Sequence, residues 1–202
     1  MSMWAKTPLW IAVLAAGWTG GVCPADGLAV RSDRFEAVLE GGSLVGLKAA
    51  GQPELVKPPA EPRGAGIHRV ATTHWARAEK GCAELAAPGE ATRQYRDFAE
   101  WRAGLLEARY RIDAASGDLV VRQHARASEQ GVWGVSWSIG DVPLDYAILV
   151  PGGSGLRLSA ATPGARHQFD YPMSWESQFV VVEGPEGGFY VWAEDPAGRY
   201  KR

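Results

Sequence analysis

The sequence predicts an all-β fold, an antiparallel β-sandwich, from two observations. From Gly27 onwards, apolar and polar residues alternate with period two over most of the chain, as in strands with one face in a core and one in water. The runs are separated by clusters drawn from 25 glycines and 13 prolines, and no long helical pattern interrupts them. We therefore expect about ten to twelve short strands, packed as two layers.

The first 25 residues are typical of a secretory signal peptide. A single cation, Lys6, precedes an apolar run over residues 9–16 that is too short to span a bilayer. Cleavage after residue 25 would leave one β-sandwich domain, residues 26–202, exported to the periplasm or the medium and without membrane contact. A lipid anchor on Cys23 and an apolar buried segment are the alternatives.

Charge and cysteine content argue against several classes of function. The formal net charge is −2 and no Lys/Arg run occurs, so the sequence has no electrostatic footprint for nucleic acid. If Cys23 leaves with the signal, Cys82 remains alone and can form neither an internal disulfide nor a thiolate zinc site. Acidic loops could hold calcium, but no spaced oxygen-ligand motif is present, so the sequence assigns no metal site. No cofactor is expected.

After the signal, the chain opens with a predicted hairpin. Residues 28–31 and 34–39 are runs of β-branched, aromatic and alternating residues, and both predict strands. The cluster 40–43 contains two adjacent glycines, which permit the positive φ of a tight turn. A further strand over residues 44–49 should follow.

The next forty residues are harder to interpret. Residues 52–66 contain four prolines and predict a surface crossover without a strand. Residues 67–75 favour a strand. In residues 76–89, apolar side chains fall at helical spacing, but Gly81 and Pro88 limit any helix to a few turns.

Residues 105–126 predict a β-hairpin with one apolar and one charged face, because apolar residues alternate with arginines on both sides of a turn at 114–117. A strand over 131–139 follows, with Trp133 and Trp137 on one side. The two indoles could form a stacking platform for sugars, but core packing is the favoured interpretation, since Val135 and Ile139 share their face.

The carboxyl-terminal part predicts two short strands, an open loop and a last hairpin. Residues 146–150 and 156–159 favour strands around a glycine-rich turn, which is no phosphate loop because neither Lys-Ser/Thr nor a helix follows it. The open loop covers 160–175. The hairpin pairs 178–183 with 189–193 across a five-residue breaker cluster, and a turn at 194–198 ends it.

Several of these segments together resemble the amino-terminal, galactose-mutarotase-like super-sandwich of a bacterial glycoside hydrolase family, similar to α-galactosidases and endo-α-N-acetylgalactosaminidases. The resemblance implies that a catalytic (β/α)8 barrel follows the sandwich and holds the two catalytic carboxylates, and this chain stops where that barrel would begin. The segments that carry it are residues 35–47, Ile148-Leu149-Val150-Pro151-Gly152-Gly153-Ser154-Gly155, Asp170-Tyr171-Pro172, Gln178-Phe179, Gly187-Gly188-Phe189-Tyr190 and Asp195-Pro196.

On this basis we expect a non-catalytic sandwich of an exported carbohydrate-active enzyme, with a glycan and the missing barrel as partners and without hydrolytic activity of its own. One alternative is a self-sufficient enzyme of mutarotase or epimerase type, which would need a histidine and a carboxylate as base and acid. His124, His167 and Glu176 are the available residues. Another alternative is a stand-alone glycan-binding module.

The candidate site residues come mainly from the open loop. Tyr171 and Trp175 are aromatic residues beside Asp170 and His167, a combination that suits sugar contact, and loops supply binding groups more often than strands do. No catalytic pair is predicted, because the acidic residues are scattered and solvated loop carboxylates are the ordinary case. Asp195 is interpreted as a turn former and as a contact to the missing barrel.

Overall fold

A computed structural model of the protein describes residues 27–60, 66–69, 73–78, 83–97, 104–127, 132–164, 166–199 and 201. The predicted signal peptide over residues 1–25, the alternative lipid anchor at Cys23 and the lone thiol of Cys82 lie outside the described residues. In the described part, no helix is long and apolar enough to cross a membrane.

The described residues form strands and contain no helix, which confirms the all-β prediction. Most strands have three to seven residues, and the longest belong to one meander in the middle of the chain. The strands are β1 (Leu28–Arg31), β2 (Phe35–Glu40), β3 (Ser43–Ala49), β4 (Glu54–Val56), β5 (Gly66–Arg69), β6 (Thr73–Ala78), β7 (Ala83–Ala86), β8 (Glu90–Asp97), β9 (Gly104–Ile112), β10 (Leu119–Ala127), β11 (Val132–Ser136), β12 (Ala147–Val150), β13 (Leu156–Leu158), β14 (Phe179–Gly184) and β15 (Gly187–Trp192).

The strands assemble into three sheets. The first sheet has the order β4-β3-β2-β1-β7, the second β10-β9-β8-β6-β5-β11, and the third β13-β12-β14-β15. Sequence neighbours pair as antiparallel hairpins, whereas β7 pairs with β1 in parallel. The architecture is therefore an all-β, sandwich-like arrangement of mainly antiparallel sheets.

The main core lies between the first and second sheets. Leu28 and Val30 of β1 pack in one cluster with Leu106, Ala108 and Tyr110 of β9, and all five side chains are buried. Removing a leucine-sized side chain from water contributes about 1.5–3 kcal/mol, so the alternating pattern of β9 supplies much of the energy that holds the two sheets together.

A smaller cluster joins the third sheet to the first. Leu55 of β4, Tyr146 and Val182 of β14 are buried together, and Phe189 of β15 packs against this cluster and against the main core. The third sheet is consequently attached through the inner face of its hairpin. On its other face, the hydroxyl group of Tyr190 donates to Asp118 Oδ2, between β9 and β10, at 2.9 Å.

The predicted crossover over residues 52–66 is corrected in part, because it contains the strand β4. Pro53 and Pro58 flank this strand without belonging to it, so its three residues keep their N–H groups, and it pairs with β3 as the edge of the first sheet. Leu55 and Val56 are 1% and 0% exposed, which makes this short strand part of the core.

The second correction concerns residues 76–89, where the short helix allowed by the sequence does not occur in the described residues. They contain the end of β6 and the whole of β7, whose register with β1 places Leu85 beside Val30. Local spacing is overridden here by a pairing partner more than fifty residues away. The sequence pattern also does not predict β8, which carries polar residues on both faces and in which Arg93 donates to the carbonyl of Gly27.

The predicted hairpin over residues 105–126 is confirmed as β9 and β10. Leu106, Ala108 and Tyr110 are fully buried, whereas Arg109 and Arg122 on the other face are exposed. The predicted last hairpin is confirmed as β14 and β15, but its strands run on through Gly184 and from Gly187. Its turn therefore has two residues and not five.

The predicted strand over residues 131–139 is shorter than expected and ends at Ser136 as β11. A register shift between Val132 and Gly134 disturbs the alternation, and Val135 is 39% exposed. Trp137 and Ile139 pack against the main core, as the core interpretation predicts. The side chain of Trp133 lies outside the described part of the chain.

Candidate functional site

The loop between β13 and β14 carries four of the predicted site residues and folds as two local turns. Its first turn is closed by Ser159 and Thr162, since the N–H of Ser159 donates to Thr162 Oγ1 at 2.8 Å and the N–H of Thr162 donates back to the Ser159 carbonyl at 2.9 Å. In its second turn, the Asp170 carbonyl accepts from the N–H groups of Ser174 at 2.8 Å and Trp175 at 3.2 Å. The described segment 166–169 lies between these two turns.

Trp175 has a defined orientation in this loop. Its indole N–H donates to the carbonyl of Phe179 at 3.0 Å. The ring of Tyr171 meets it edge to face, with 6.5 Å between the ring centroids and 85° between the planes. Because the indole nitrogen is already bonded, Trp175 offers a ligand its ring surface and no hydrogen bond.

The glycine-rich turn between β12 and β13 supports the second loop turn. A side chain at Gly152 would overlap the carbonyl oxygen of Ser174, so only glycine lets the two segments approach this closely. The N–H of Glu176 donates to the Pro151 carbonyl at 2.6 Å, and the N–H of Gly153 donates to Glu176 Oε1 at 3.2 Å. The predicted turn at 152–155 is confirmed.

A groove of about 310 Å³ lies where this loop covers the end of the third sheet; we call it the loop groove. This volume is at the lower end of the range for small-molecule sites, roughly 300–1,000 Å³. Apolar and aromatic side chains form one part of its lining, and polar side chains form the rest. The lining residues are Val150, Arg166, His167, Gln168, Phe169, Trp175 and Val180.

Two of the four predicted loop residues line the groove, and two do not. His167 and Trp175 are lining residues, and the imidazole of His167 packs over Gly164, where a Cβ would lie 3.4 Å from its Cε1. Asp170 contributes its backbone to the loop turn, and Tyr171 supports Trp175 from behind. These two therefore act through the position of other residues.

Tyr171 also binds the end of the described chain. Its N–H donates to the Lys201 carbonyl at 2.9 Å, and Lys201 Nζ lies 4.9 Å from the centroid of the Tyr171 ring. The same Nζ donates to Asp195 Oδ2 at 2.8 Å. The loop and the segment after β15 are thereby connected.

Asp195 forms the turn that the sequence predicts. Its carboxylate accepts from the N–H groups of Ala197 at 3.1 Å and Arg199 at 2.8 Å. The hydrogen bond from Lys201, followed by the one from the Arg199 backbone, holds the pKa of Asp195 below its usual value. The carboxylate is engaged within the chain, and its contact to a barrel stays a prediction.

Acidic groups are absent from the described lining of the groove. Glu176, the neighbour of Trp175 in sequence, directs one carboxylate oxygen to Gly153, and His124 lies exposed on the outer face of β10. Among the described residues, no group of three histidine, cysteine, aspartate or glutamate side chains could hold a metal ion. The arrangement suits binding, through an aromatic surface and several hydrogen-bond donors.

The opposite face of the third sheet bears a second feature, which we call the aromatic face: Phe179, Val181, Tyr190 and Trp192. The register places Phe179 beside Trp192 and Val181 beside Tyr190, so the four side chains share one side of the β14–β15 hairpin. Phe179, Tyr190 and Trp192 are 39%, 54% and 63% exposed. Large exposed apolar surfaces of this kind mark interaction sites.

The sequence singled out His167 and Trp175 but not Gln168, Phe169, Val150 or Val180. Gln168 and Phe169 directly follow Arg166 and His167, so their adjacency is the local signal that could have found them. Val150 and Val180 carry no such signal, because their role depends on which loop covers their strands.

No protein-family model matches this chain, and no curated protein and no solved structure matches it either. The class that the coordinates define is an all-β, sandwich-like domain of mainly antiparallel sheets. It carries an aromatic-lined loop groove on one face of its third sheet and an exposed aromatic face on the other.

Proposed function

We propose that this chain is the non-catalytic β-sandwich of an exported carbohydrate-active enzyme and that it contacts glycan through the loop groove. The observation that carries the proposal is the position of the Trp175 ring. Its N–H is bonded to Phe179, and its ring lines a groove beside Arg166 and His167. A pyranose ring has an apolar face that can lie on an indole and hydroxyl groups that accept hydrogen bonds from nearby donors.

The groove does not offer the groups that glycoside hydrolysis requires. That reaction uses two carboxyl groups on either side of the sugar, about 5–9.5 Å apart. The described lining includes Arg166, His167 and Gln168 and neither an aspartate nor a glutamate. We therefore assign catalysis to the barrel that the resemblance implies, and binding to this domain.

The aromatic face supports the accessory part of the proposal. Phe179 and Trp192 are exposed on the outer face of the β14–β15 hairpin, whereas its inner face is anchored to the core by Val182 and Phe189. A domain that packs against a catalytic barrel needs such an apolar surface on the side away from its own core.

Affinity electrophoresis in gels that contain different plant and bacterial polysaccharides tests the glycan contact. Wild-type protein should be retarded by at least one of them, and Trp175→Ala should lose the retardation because the stacking surface is gone. Trp192→Ala is the matched control: it removes an indole from the aromatic face and should migrate like wild type.

Because Trp175→Ala also removes the hydrogen bond to Phe179, Trp175→Phe provides a second variant that keeps an aromatic ring. It should retain part of the retardation, with a urea unfolding midpoint near that of wild type. Equal retardation of the wild-type and Trp175→Ala proteins, or no retardation by any polysaccharide, would overturn the proposal.

A further inference from the structure

The three polar residues that line the loop groove, Arg166, His167 and Gln168, all carry hydrogen-bond donors. Arg166 carries five N–H donors, Gln168 carries an amide NH2, and His167 has a ring N–H. Gln168 can also accept a hydrogen bond, but no acidic side chain contributes to the described lining. A neutral sugar needs a mixture of donors and acceptors around its hydroxyl groups, whereas an anionic group needs donors alone.

The charge of Arg166 is available to a ligand. Two cations of the carboxyl-terminal part are paired within the chain: Arg157 Nε lies 3.1 Å from Glu183 Oε1, and Lys201 Nζ lies 2.8 Å from Asp195 Oδ2. Arg166 has neither an ion-pair nor a hydrogen-bond partner among the described residues. The nearest acid in sequence to Trp175, Glu176, is directed to the backbone of Gly153.

The apolar part of the groove sets the geometry of a ligand. Val150 and Val180 form a floor on the third sheet, and Trp175 stands beside it in the orientation that Tyr171 and the Phe179 carbonyl impose. A sugar ring stacked on this indole presents substituents of its edge to the loop segment 166–168. The planar fork of arginine matches a carboxylate with two parallel hydrogen bonds.

We propose that the loop groove selects a uronic acid, a sugar residue with a carboxylate on its ring, with Trp175 holding the ring and Arg166 the carboxylate. This inference rests on the proposed glycan binding and adds the chemical class of the sugar. Replacing the carboxylate by the hydroxymethyl group of the neutral sugar removes the charge and leaves the stacking unchanged.

The test is isothermal titration calorimetry of the full chain with trimers of galacturonate, glucuronate and mannuronate, each beside its neutral counterpart of the same linkage. At least one uronate should bind on the order of tenfold or more tightly than its counterpart, which is the scale of a hydrogen bond to a charged group. Arg166→Gln should bring the two affinities to within about threefold of each other.

Arg157→Gln is the matched control, since it removes the same charge from the opposite face of the third sheet. Val150 faces the groove, so its neighbour Leu149 and the strand partner of Leu149, Arg157, point to the other side. It should keep the uronate preference. Trp175→Ala should weaken uronate and neutral sugar by similar factors.

The outcomes separate this inference from the proposed function. Equal binding of uronates and neutral trimers, or a preference that survives Arg166→Gln, overturns the uronate inference and leaves glycan binding standing. Absence of binding to all six trimers, together with no retardation in any polysaccharide gel, overturns both.

Discussion

Two hairpins of this molecule share the same alternating pattern but differ in the residues on their outer faces. The β9–β10 hairpin and the β14–β15 hairpin are both antiparallel, with apolar residues on alternate positions. The inner face of the first hairpin is the more deeply buried of the two, since Leu106 and Tyr110 are 0% exposed. On the inner face of the second hairpin, Val182 is 3% exposed, whereas Val180 and Phe189 are half-buried. On its outer face, the first hairpin carries Arg109 and Arg122, whereas the second carries the aromatic face.

The outer face of β9–β10 is charged, whereas the outer face of β14–β15 is largely apolar. Arginine side chains on a sheet face remain solvated and need no partner layer, so β9–β10 is complete as it stands. The aromatic face exposes rings that gain free energy when covered. The loop groove and the aromatic face lie on opposite faces of the third sheet.

The largest loss of stability should come from shortening a buried side chain on the inner face of the first hairpin. Leu106→Ala should lower the free energy of unfolding by about 2–5 kcal/mol, because it leaves a cavity between the first and second sheets. Urea denaturation measures it. Leu144→Ala, at a side chain that is 83% exposed, is the control and should stay within about 0.5 kcal/mol of wild type. Similar losses for both variants would contradict the core as described.

A smaller loss of stability is expected from a substitution at Gly188, where the backbone of the second hairpin leaves no room for a side chain. A Cβ at Gly188 would overlap the carbonyl oxygen of Val182, so Gly188→Ala should cost about 1–3 kcal/mol of unfolding free energy through strand displacement. Gly134→Ala is the matched substitution in β11, where a Cβ meets nothing within 4 Å. Thermal melts should show a drop for the first variant only, and equal melting temperatures would refute the register of β14 with β15.

Changes on the aromatic face should affect contact more than stability. The double variant Phe179→Ser with Trp192→Ser should change the unfolding free energy by only about 1 kcal/mol or less, since both side chains are exposed. It should abolish most of the binding of a hydrophobic fluorescent dye to the folded protein. Val182→Ser, on the inner face of the same hairpin, should instead destabilise the fold. Unchanged dye binding by the double variant would mean that the aromatic face is not the main apolar surface.

The smallest expected change in stability concerns Asp113, in the turn of the first hairpin, and it depends on pH. Hydrogen bonds from the Ser116 backbone, from Arg111 and from the Ala115 backbone hold the pKa of Asp113 below its ordinary value of 3.8. A depressed pKa stabilises the fold above the ordinary value, and this contribution is lost as the pH falls through the depressed pKa.

Asp113→Asn should therefore be less stable than wild type at pH 7, and the gap should narrow as the pH falls below 3.8. Urea midpoints at a series of pH values give the comparison, with Asp145→Asn, a substitution at another exposed aspartate, as the control. A gap that stays constant down to acid pH would show that the ionised carboxylate is not the stabilising form.

The hairpins were predictable from the sequence because their signals are local. Alternation and a turn suffice to define β9 with β10 and β14 with β15. The strands β4 and β7 were not predictable in the same way: Leu55 and Val56 stand between prolines, and Leu85 joins the core only through the parallel pairing of β7 with β1. That pairing depends on tertiary contacts, which a window of neighbouring residues does not contain.

The residues of the candidate site also fall into those that the local sequence predicts and those that depend on tertiary packing. His167 and Trp175 were predictable as aromatic and polar members of one loop, and both line the groove. Tyr171 has the same sequence signal, yet it packs against Trp175 and Lys201. Val150 and Val180 form the floor because the loop covers one face of the third sheet, and alternation alone does not say which face.

We propose that the loop groove, and not the aromatic face, holds the sugar. The direct measurement is an NMR titration of ¹⁵N-labelled protein with the uronate trimers, which follows the indole N–H signals of Trp175 and Trp192, assigned from Trp→Phe variants. If the loop groove holds the sugar, the Trp175 signal shifts with a saturable dependence on sugar concentration and the Trp192 signal stays in place. A shift of Trp192 with a stationary Trp175 would contradict this proposal and would move the glycan site to the aromatic face.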